Sequence, residues 1–178
     1  MATPPTFTAG QVLTAAQMNK VGLWLISETT VGSGVASVTV SSAFSADYDN
    51  YVIKIDNVDP SSNTTLDFQL DGLTTSYYYT GINMVAGSTT VNGETGSDVS
   101  AWQIGACRVT GENSYILEIR SPYLTGRTLL SYDYAGSAIW HTGGGTTTNT
   151  TSRTGFVLTP ATGTLTGGTI RVYGYNGA

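Results

Sequence analysis

The segment Thr64–Asp71, with the sequence TTLDFQLD, decides the fold class because its apolar and polar residues alternate strictly. In an extended chain, Leu66, Phe68 and Leu70 share one face, and the two aspartates and the glutamine between them share the other. A strand with one dry and one wet face is typical of an antiparallel sheet that covers a core on one side. The segment therefore predicts an antiparallel β fold.

Comparable short segments recur along the 178 residues, separated by turns rich in Gly, Ser and Asn. About ten strands with turn signals at roughly 8–12-residue spacing predict a sandwich or a closed barrel. Only one helix signal occurs, ahead of the strands, which excludes an alternating βαβ architecture. The single apolar faces favour an all-β, antiparallel β-sandwich of jelly-roll-like type over the barrel.

Three segments are interpreted from composition rather than alternation. Leu23–Glu28 lacks a polar face, which predicts a strand covered on both sides. Ala86–Ser97 is rich in Gly, Ser and Thr, which predicts a long loop or a mobile hairpin. Gly143–Ser152, GGGTTTNTTS, is of low complexity and is predicted to be flexible.

The helix signal lies in Phe7–Ile26, FTAGQVLTAAQMNKVGLWLI. Thr14 is a candidate N-cap with Gln17 at capping-box spacing, and the residues on either side of the cap can close a hydrophobic staple. A helix of barely two turns must pack on something to be stable. The sequence thus predicts an arm and short anchoring helix over residues 1–22 and a β-sandwich domain over residues 23–178. The predicted anchoring or oligomer-interface residues are Phe7, Leu13, Met18, Leu23 and Trp24.

Charged residues are scarce, at 11% of the chain, with a net charge of −5. Soluble domains commonly contain about 25% charged residues. Two interpretations explain the low content of charged residues. The chain is a rigid β protein of the extracellular space or of a virion surface, or much of its surface is buried in an oligomer. The two interpretations are compatible. The seven lysines and arginines are scattered, which argues against nucleic-acid binding. No apolar run approaches the roughly 20 residues that span a bilayer, so no membrane insertion is expected.

Residues that could support catalysis are few. The single histidine, His141, stands beside Trp140 ahead of a glycine run and is predicted to be a loop-edge residue, and no G-x-S-x-G motif occurs. The single cysteine, Cys107, is predicted to be a small buried hydrophobe. Two carboxylates across a cleft could serve a glycosidase. The candidates, Asp67 with Asp71, Asp47 with Asp49, and Glu112 with Glu118, are predicted to lie on solvated surfaces, so no enzymatic activity is expected.

Two short acidic runs offer oxygen ligands for calcium, Asp47-x-Asp49-Asn50 and Asp56-Asn57-x-Asp59. Asx turns explain both runs equally well, and neither continues as an EF-hand. We therefore predict no metal and no cofactor.

Aromatic residues suggest a contact surface. Tyr77 and Tyr79 fall on the same face of one predicted strand, and Tyr78 falls on the other. They could form a sugar-stacking platform, although packing in the core or at a subunit interface is the favoured interpretation. The candidate surface-ligand or interface residues are Tyr77, Tyr79, Trp102, Trp140 and His141.

Five segments resemble structural proteins of tailed bacteriophages when they are taken in order. The first is the N-terminal pattern F-x-A-G-x-x-L-T-A-A-x-M-N, here Phe7–Asn19. The others are LISETT at Leu25–Thr30, F-S-x-x-Y-x-N-Y at Phe44–Tyr51, T-G-F-x-L at Thr154–Leu158 and GGTIRVYGY at Gly167–Tyr175.

The resemblance implies a non-enzymatic virion component that is oligomeric, commonly a homotrimer, and made in the host cytoplasm. Its expected partners are other virion proteins, further copies of the chain and possible host-surface glycans. The anchoring leader ahead of a β domain favours a tail fibre or tip protein that acts in host attachment. The alternatives are a capsid decoration protein and a carbohydrate-binding β-sandwich module.

Overall fold

The computed structural model describes residues 10, 12, 22–109 and 112–175, which form fourteen β-strands. The strands are β1 (Trp24–Thr30), β2 (Val38–Val40), β3 (Asn50–Asp56), β4 (Asp59–Pro60), β5 (Thr64–Leu70), β6 (Tyr77–Val85), β7 (Val91–Val99), β8 (Trp102–Cys107), β9 (Ser114–Arg120), β10 (Leu129–Gly136), β11 (Ile139–Thr147), β12 (Phe156–Pro160), β13 (Leu165–Thr166) and β14 (Thr169–Tyr175).

No helix occurs in this described part of the chain. The predicted capped helix, with Leu13 and Met18, lies outside the described residues, as does Phe7 of the arm. The helix is therefore not confirmed. Among the residues that the structure places, no helix is long and apolar enough to cross a membrane.

The strands form three antiparallel sheets. The large sheet has the order β1-β14-β3-β9-β10-β11-β6-β7, the small sheet has the order β2-β12-β5-β8, and β13 pairs with β4. This confirms the predicted all-β, antiparallel fold, and the arrangement is sandwich-like. Sheets of eight, four and two strands contain more than the eight strands of a jelly roll, so only the broader description applies.

The alternating segments of the sequence supply the core, as predicted. Leu66, Phe68 and Leu70 of β5 are buried, and so are the apolar faces of β3, β9 and β10 in the large sheet. The rings of Tyr77 and Trp102 meet edge to face between the two sheets, with centroids 4.9 Å apart. One apolar cluster therefore joins both sheets.

The first half of the segment Gly143–Ser152, which its composition predicted to be flexible, lies in a paired strand. Gly143–Thr147 forms the second half of β11, which pairs with β10 and β6. Here glycine is needed for space: a Cβ at Gly143 would lie 2.7 Å from the Tyr132 hydroxyl, and one at Gly145 would lie 2.5 Å from Trp102 Nε1. Bulky aromatic rings from β10 and β8 cover these backbone positions.

Two further interpretations need correction. Ala86–Ser97 is largely the second strand of the β6–β7 hairpin, so the hairpin alternative is right and the long loop is wrong. β1 is not covered on both faces, because Leu25 is 55% exposed. It is also an edge strand, which pairs within the described residues only with β14. Because β1 is an edge strand, its side chains have fewer neighbours than a central strand would give them.

Candidate functional site

A polar pocket of about 300 Å³ opens between the two sheets, where the large sheet extends past β8, the edge of the small one. Inward-facing residues of the large sheet form one wall. His141 of β11 pairs with Asn83 of β6, and Glu94 of β7 lies opposite Gly81, two residues from Asn83 on β6. Period-two alternation thus places the three side chains on the same face.

Two hydrogen bonds orient this wall. Asn83 Nδ2 donates to Glu94 Oε1 at 2.7 Å, and Asn92 Nδ2 donates to Asn83 Oδ1 at 3.2 Å. Glu94 Oε2 lies 3.6 Å from His141 Nδ1, and among the described residues neither buried atom has a hydrogen-bond partner. The carboxylate and the imidazole therefore face each other behind the pocket surface, at a distance slightly longer than a hydrogen bond.

His141 is 4% exposed, and its ring lies edge-on to that of Tyr134, with centroids 5.4 Å apart. Burial lowers the pKa of the imidazole, and the nearby Arg108 guanidinium acts in the same direction, while Glu94 opposes both. The balance favours a neutral ring. His141 is thus a buried strand residue, and its prediction as a loop-edge residue is wrong because Ile139–Thr147 pairs on both sides.

The facing wall comes from β5, β8 and the residues that border them. Asn63, Thr64, Thr65 and Arg108 contribute polar groups, and the apolar lining consists of Val85, Ala106 and Ile139. Arg108 Nε is buried without a hydrogen-bond partner among the described groups. The pocket therefore contains one carboxylate and one guanidinium, with amides and hydroxyls around them.

Asn113 holds the backbone that carries Arg108. It is completely buried, and its side-chain amide donates to the carbonyl oxygens of Val58 and Arg108 at 2.9 and 2.8 Å. Its Oδ1 accepts from the Arg108 amide at 2.9 Å and from the Tyr134 hydroxyl at 3.0 Å. The pocket wall and the core are thus connected through one side chain.

The aromatic residues predicted as a surface site separate in the structure. Tyr77 and Trp102 are fully buried, so their assignment as surface-ligand residues is corrected to core packing. Tyr79 is partly buried, and its hydroxyl donates to Gln103 Oε1 at 2.9 Å. Trp140 is 43% exposed on the outer face of the large sheet. Of the five residues, only His141 lines the polar pocket.

The predicted interface residues are described only in part. Leu23, which precedes the edge strand β1, is 52% exposed, and Trp24, the first residue of β1, is partly buried. An exposed leucine here is compatible with a contact to another chain, and that contact stays a prediction.

Cys107 is buried as predicted, and burial raises the pKa of its thiol to about 11.

The acidic runs have local roles. Asp47 Oδ2 accepts from the Ser45 hydroxyl at 3.1 Å, and Asp56 Oδ1 accepts from Ser114 Oγ at 3.0 Å. Arg171 Nη1 lies 3.5 Å from the other Asp56 oxygen. Within residues 22–109 and 112–175, no group of three or more His, Cys, Asp or Glu side chains is placed to hold a metal ion.

Asp67 departs from its predicted solvated position. It is half-buried opposite Gln103, in the region that Tyr79 reaches, and burial raises its pKa from 3.8 to about 6. The folded state therefore binds more protons than the unfolded state between these two values. Stability from this group is greatest at low pH and is lost as the pH rises through about 6.

We expect Asp67→Asn to stabilise the protein by about 1–2 kcal/mol at pH 8, after allowance for its partial exposure. The gain should shrink towards pH 4, where Asp67 is protonated in the folded state. Urea unfolding at both pH values measures this. Asp71→Asn, an exposed residue just after the same strand, is the matched control. An equal gain at pH 4 and pH 8 would contradict the burial argument.

Several pocket residues are absent from the sequence predictions: Asn83, Glu94 and Arg108. The missed signal is the alternation in β7, where Asn92 and Glu94 alternate with Gly93 and Thr95. Because the segment is rich in glycine, its alternation did not predict a strand. Comparison with known proteins adds no residue roles, because no family model matches the chain, and no curated protein or solved structure gives a significant match.

Proposed function

We propose that this chain is a non-enzymatic structural component of a tailed-phage virion, oligomeric and anchored through its N-terminal segment. A tail-associated position, as a fibre or tip protein, is the form we favour. The resemblance of the five sequence segments is the starting point of this proposal.

The observation that carries it is that four of these segments, far apart in sequence, are neighbours in space. LISETT lies on β1, GGTIRVYGY covers β14, and F-S-x-x-Y-x-N-Y leads into β3, and these strands are consecutive in the large sheet. The fourth segment contributes Phe156, whose ring stacks on Phe44 with centroids 5.9 Å apart. The resemblance therefore follows one packed unit, which supports a shared scaffold.

A row of apolar side chains on the outer face of the large sheet supports the oligomeric part of the proposal. Trp140 pairs with Met84, and Met84 pairs with Val91, across three adjacent strands. Their exposed fractions are 43%, 37% and 52%. Monomeric proteins rarely leave large contiguous apolar patches in water. Contact with another chain would remove the free-energy cost of exposing these three side chains to water.

Deletion of Met1–Gly22 tests the anchoring claim. We expect the truncated chain to keep its β-sheet circular dichroism and cooperative unfolding, because the sheets begin at β1. It should fail to enter virions when it replaces the full-length chain, as judged by immunoblotting of purified particles. Full incorporation of the truncated chain would contradict the anchoring role, and loss of folding would contradict the proposed domain division.

Cryo-electron microscopy of the same particles tests the location. Density for this chain at the tail supports a fibre or tip protein, whereas density only on capsid faces supports the decoration alternative. Light scattering of the purified full chain should show an oligomer at micromolar concentration. A monomer would count against the intersubunit role of the apolar row.

A further inference from the structure

We infer that copies of this chain join head to tail, with an apolar groove near one edge of the large sheet receiving two exposed leucines from the opposite edge of the next copy. The groove lies between the tips of the β6–β7 and β10–β11 hairpins, and we call it the hairpin groove. Leu23 and Leu25 are the leucine pair. The inference rests on the oligomeric part of the proposed function and names the two surfaces that meet.

The hairpin groove is apolar, and the backbone holds its shape. It has a volume of about 430 Å³, and Trp140, Met84 and Val85 in its walls are all at least one-third exposed. The Ala86 amide donates to the Ala138 carbonyl oxygen at 2.8 Å, which ties the two hairpin tips together. Among the described residues that line the groove, none has a charged side chain. An uncharged concave surface with tryptophan and methionine has the composition of an interface core.

The leucine pair is an apolar protrusion at the other edge of the same sheet. Leu23 and Leu25 are more exposed than any other leucine in the part of the chain that the structure describes. Six strand spacings separate β1 from β6, which lines the groove, and each spacing is about 4.8 Å. The pair is thus about 29 Å from the groove of its own chain, and only another copy can bring the two surfaces together.

The charges on the outer face of the large sheet favour a head-to-tail contact over a two-fold one. Lys54, Arg171 and Glu118 lie on this face, between the leucine pair and the groove. A two-fold contact through both surfaces at once would stack two such faces and bury these charges at a desolvation cost. A head-to-tail contact leaves them in water, and a closed ring fills the groove of every copy. Glu28, the charged residue of β1, is already paired with Arg171 at 2.7 Å.

Two variants, one on each surface, test the contact. Leu25→Glu places a charge on the protrusion, and Ala86→Glu places one in the groove, at an exposed turn residue. We expect each variant alone to associate at least about thirtyfold more weakly than the wild type, as light scattering over a range of concentrations measures. Ile116→Glu is the matched control, because Ile116 is 50% exposed on the same sheet but outside both surfaces. Equal weakening by the control would overturn the inference.

An equimolar mixture of the two variants tests the head-to-tail mode. The Leu25→Glu copy keeps its groove and the Ala86→Glu copy keeps its leucine pair, so one intact contact can form between them. We expect a mixed dimer under conditions in which each variant alone is monomeric. Native mass spectrometry detects it when one variant is labelled with heavy nitrogen. Circular dichroism checks that both are folded, and Met84→Glu replaces Ala86→Glu if the latter is not. Absence of the mixed dimer would overturn the inference.

The outcomes distinguish this inference from the proposed function. A wild-type assembly of three or more copies, together with the mixed dimer, supports the inference. A wild-type dimer overturns the head-to-tail mode, and an oligomer that persists in both variants overturns the choice of surfaces, while the oligomeric proposal stands in both cases. A wild-type monomer overturns the inference and the oligomeric proposal together. Entry into virions is tested separately by the deletion of Met1–Gly22.

Discussion

Asn113→Ala is expected to lower the free energy of unfolding by about 3–5 kcal/mol, which is a large effect for one side chain. The asparagine makes four hydrogen bonds in a fully buried position, and its partners are the Val58 carbonyl, both backbone groups of Arg108 and the Tyr134 hydroxyl. Alanine cannot replace any of these bonds. Because the partners are enclosed by the fold, water does not readily take the place of the amide. Urea unfolding followed by tryptophan fluorescence measures the loss.

Two further variants separate this network from a general effect of losing a polar group. Tyr134→Phe removes only one of the four bonds and should cost about 1 kcal/mol. Asn63→Ala removes an exposed asparagine that accepts one bond, from the Val109 amide at 3.0 Å, and should also cost no more than about 1 kcal/mol. If Asn113→Ala cost no more than Asn63→Ala, the network would not stabilise the fold.

The network also connects stability with the pocket. Asn113 makes hydrogen bonds with both the backbone amide and the backbone carbonyl of Arg108. Tyr134, which also bonds to Asn113, packs against the ring of His141. A loss at Asn113 is therefore expected to disturb Arg108 and His141, two residues that line the pocket.

The core of this fold could be predicted from the sequence because alternation is a local property. Leu66, Phe68 and Leu70 show a period of two that depends on no other part of the chain. The apolar faces of β3, β9 and β10 follow the same rule, and they are buried too. The order of the strands in the sheets needs long-range pairing, and no sequence pattern supplied it.

The predictions for the glycine-rich segments were wrong because the structure of these segments depends on contacts that are not local. Composition predicts flexibility for Gly143–Ser152 because glycine has the largest conformational entropy to lose. In the structure, neighbouring rings decide the outcome: Tyr132 covers Gly81 and Gly143, and the Trp102 ring lies against Gly145. These contacts join residues of different strands, so composition alone could not reveal them. The pocket was missed with the glycine-rich strand β7, since Glu94 lies on it.

Gly145→Ala is therefore expected to destabilise the protein by about 2–3 kcal/mol, although a Gly→Ala substitution stabilises a protein where the backbone and the space accept a Cβ. The added Cβ would lie 2.5 Å from Trp102 Nε1 and 2.6 Å from the Tyr78 carbonyl oxygen. These two atoms are themselves hydrogen-bonded at 3.2 Å, so relief of the clash would strain that bond.

Gly93→Ala is the matched control, since a Cβ there meets no described atom within 4 Å. Both glycines lie within strands of the same sheet, so both substitutions reduce the entropy of the unfolded chain in the same way. Urea unfolding should show Gly93→Ala neutral or slightly stabilised and Gly145→Ala clearly weakened, and equal midpoints would contradict packing as the reason for glycine in β11.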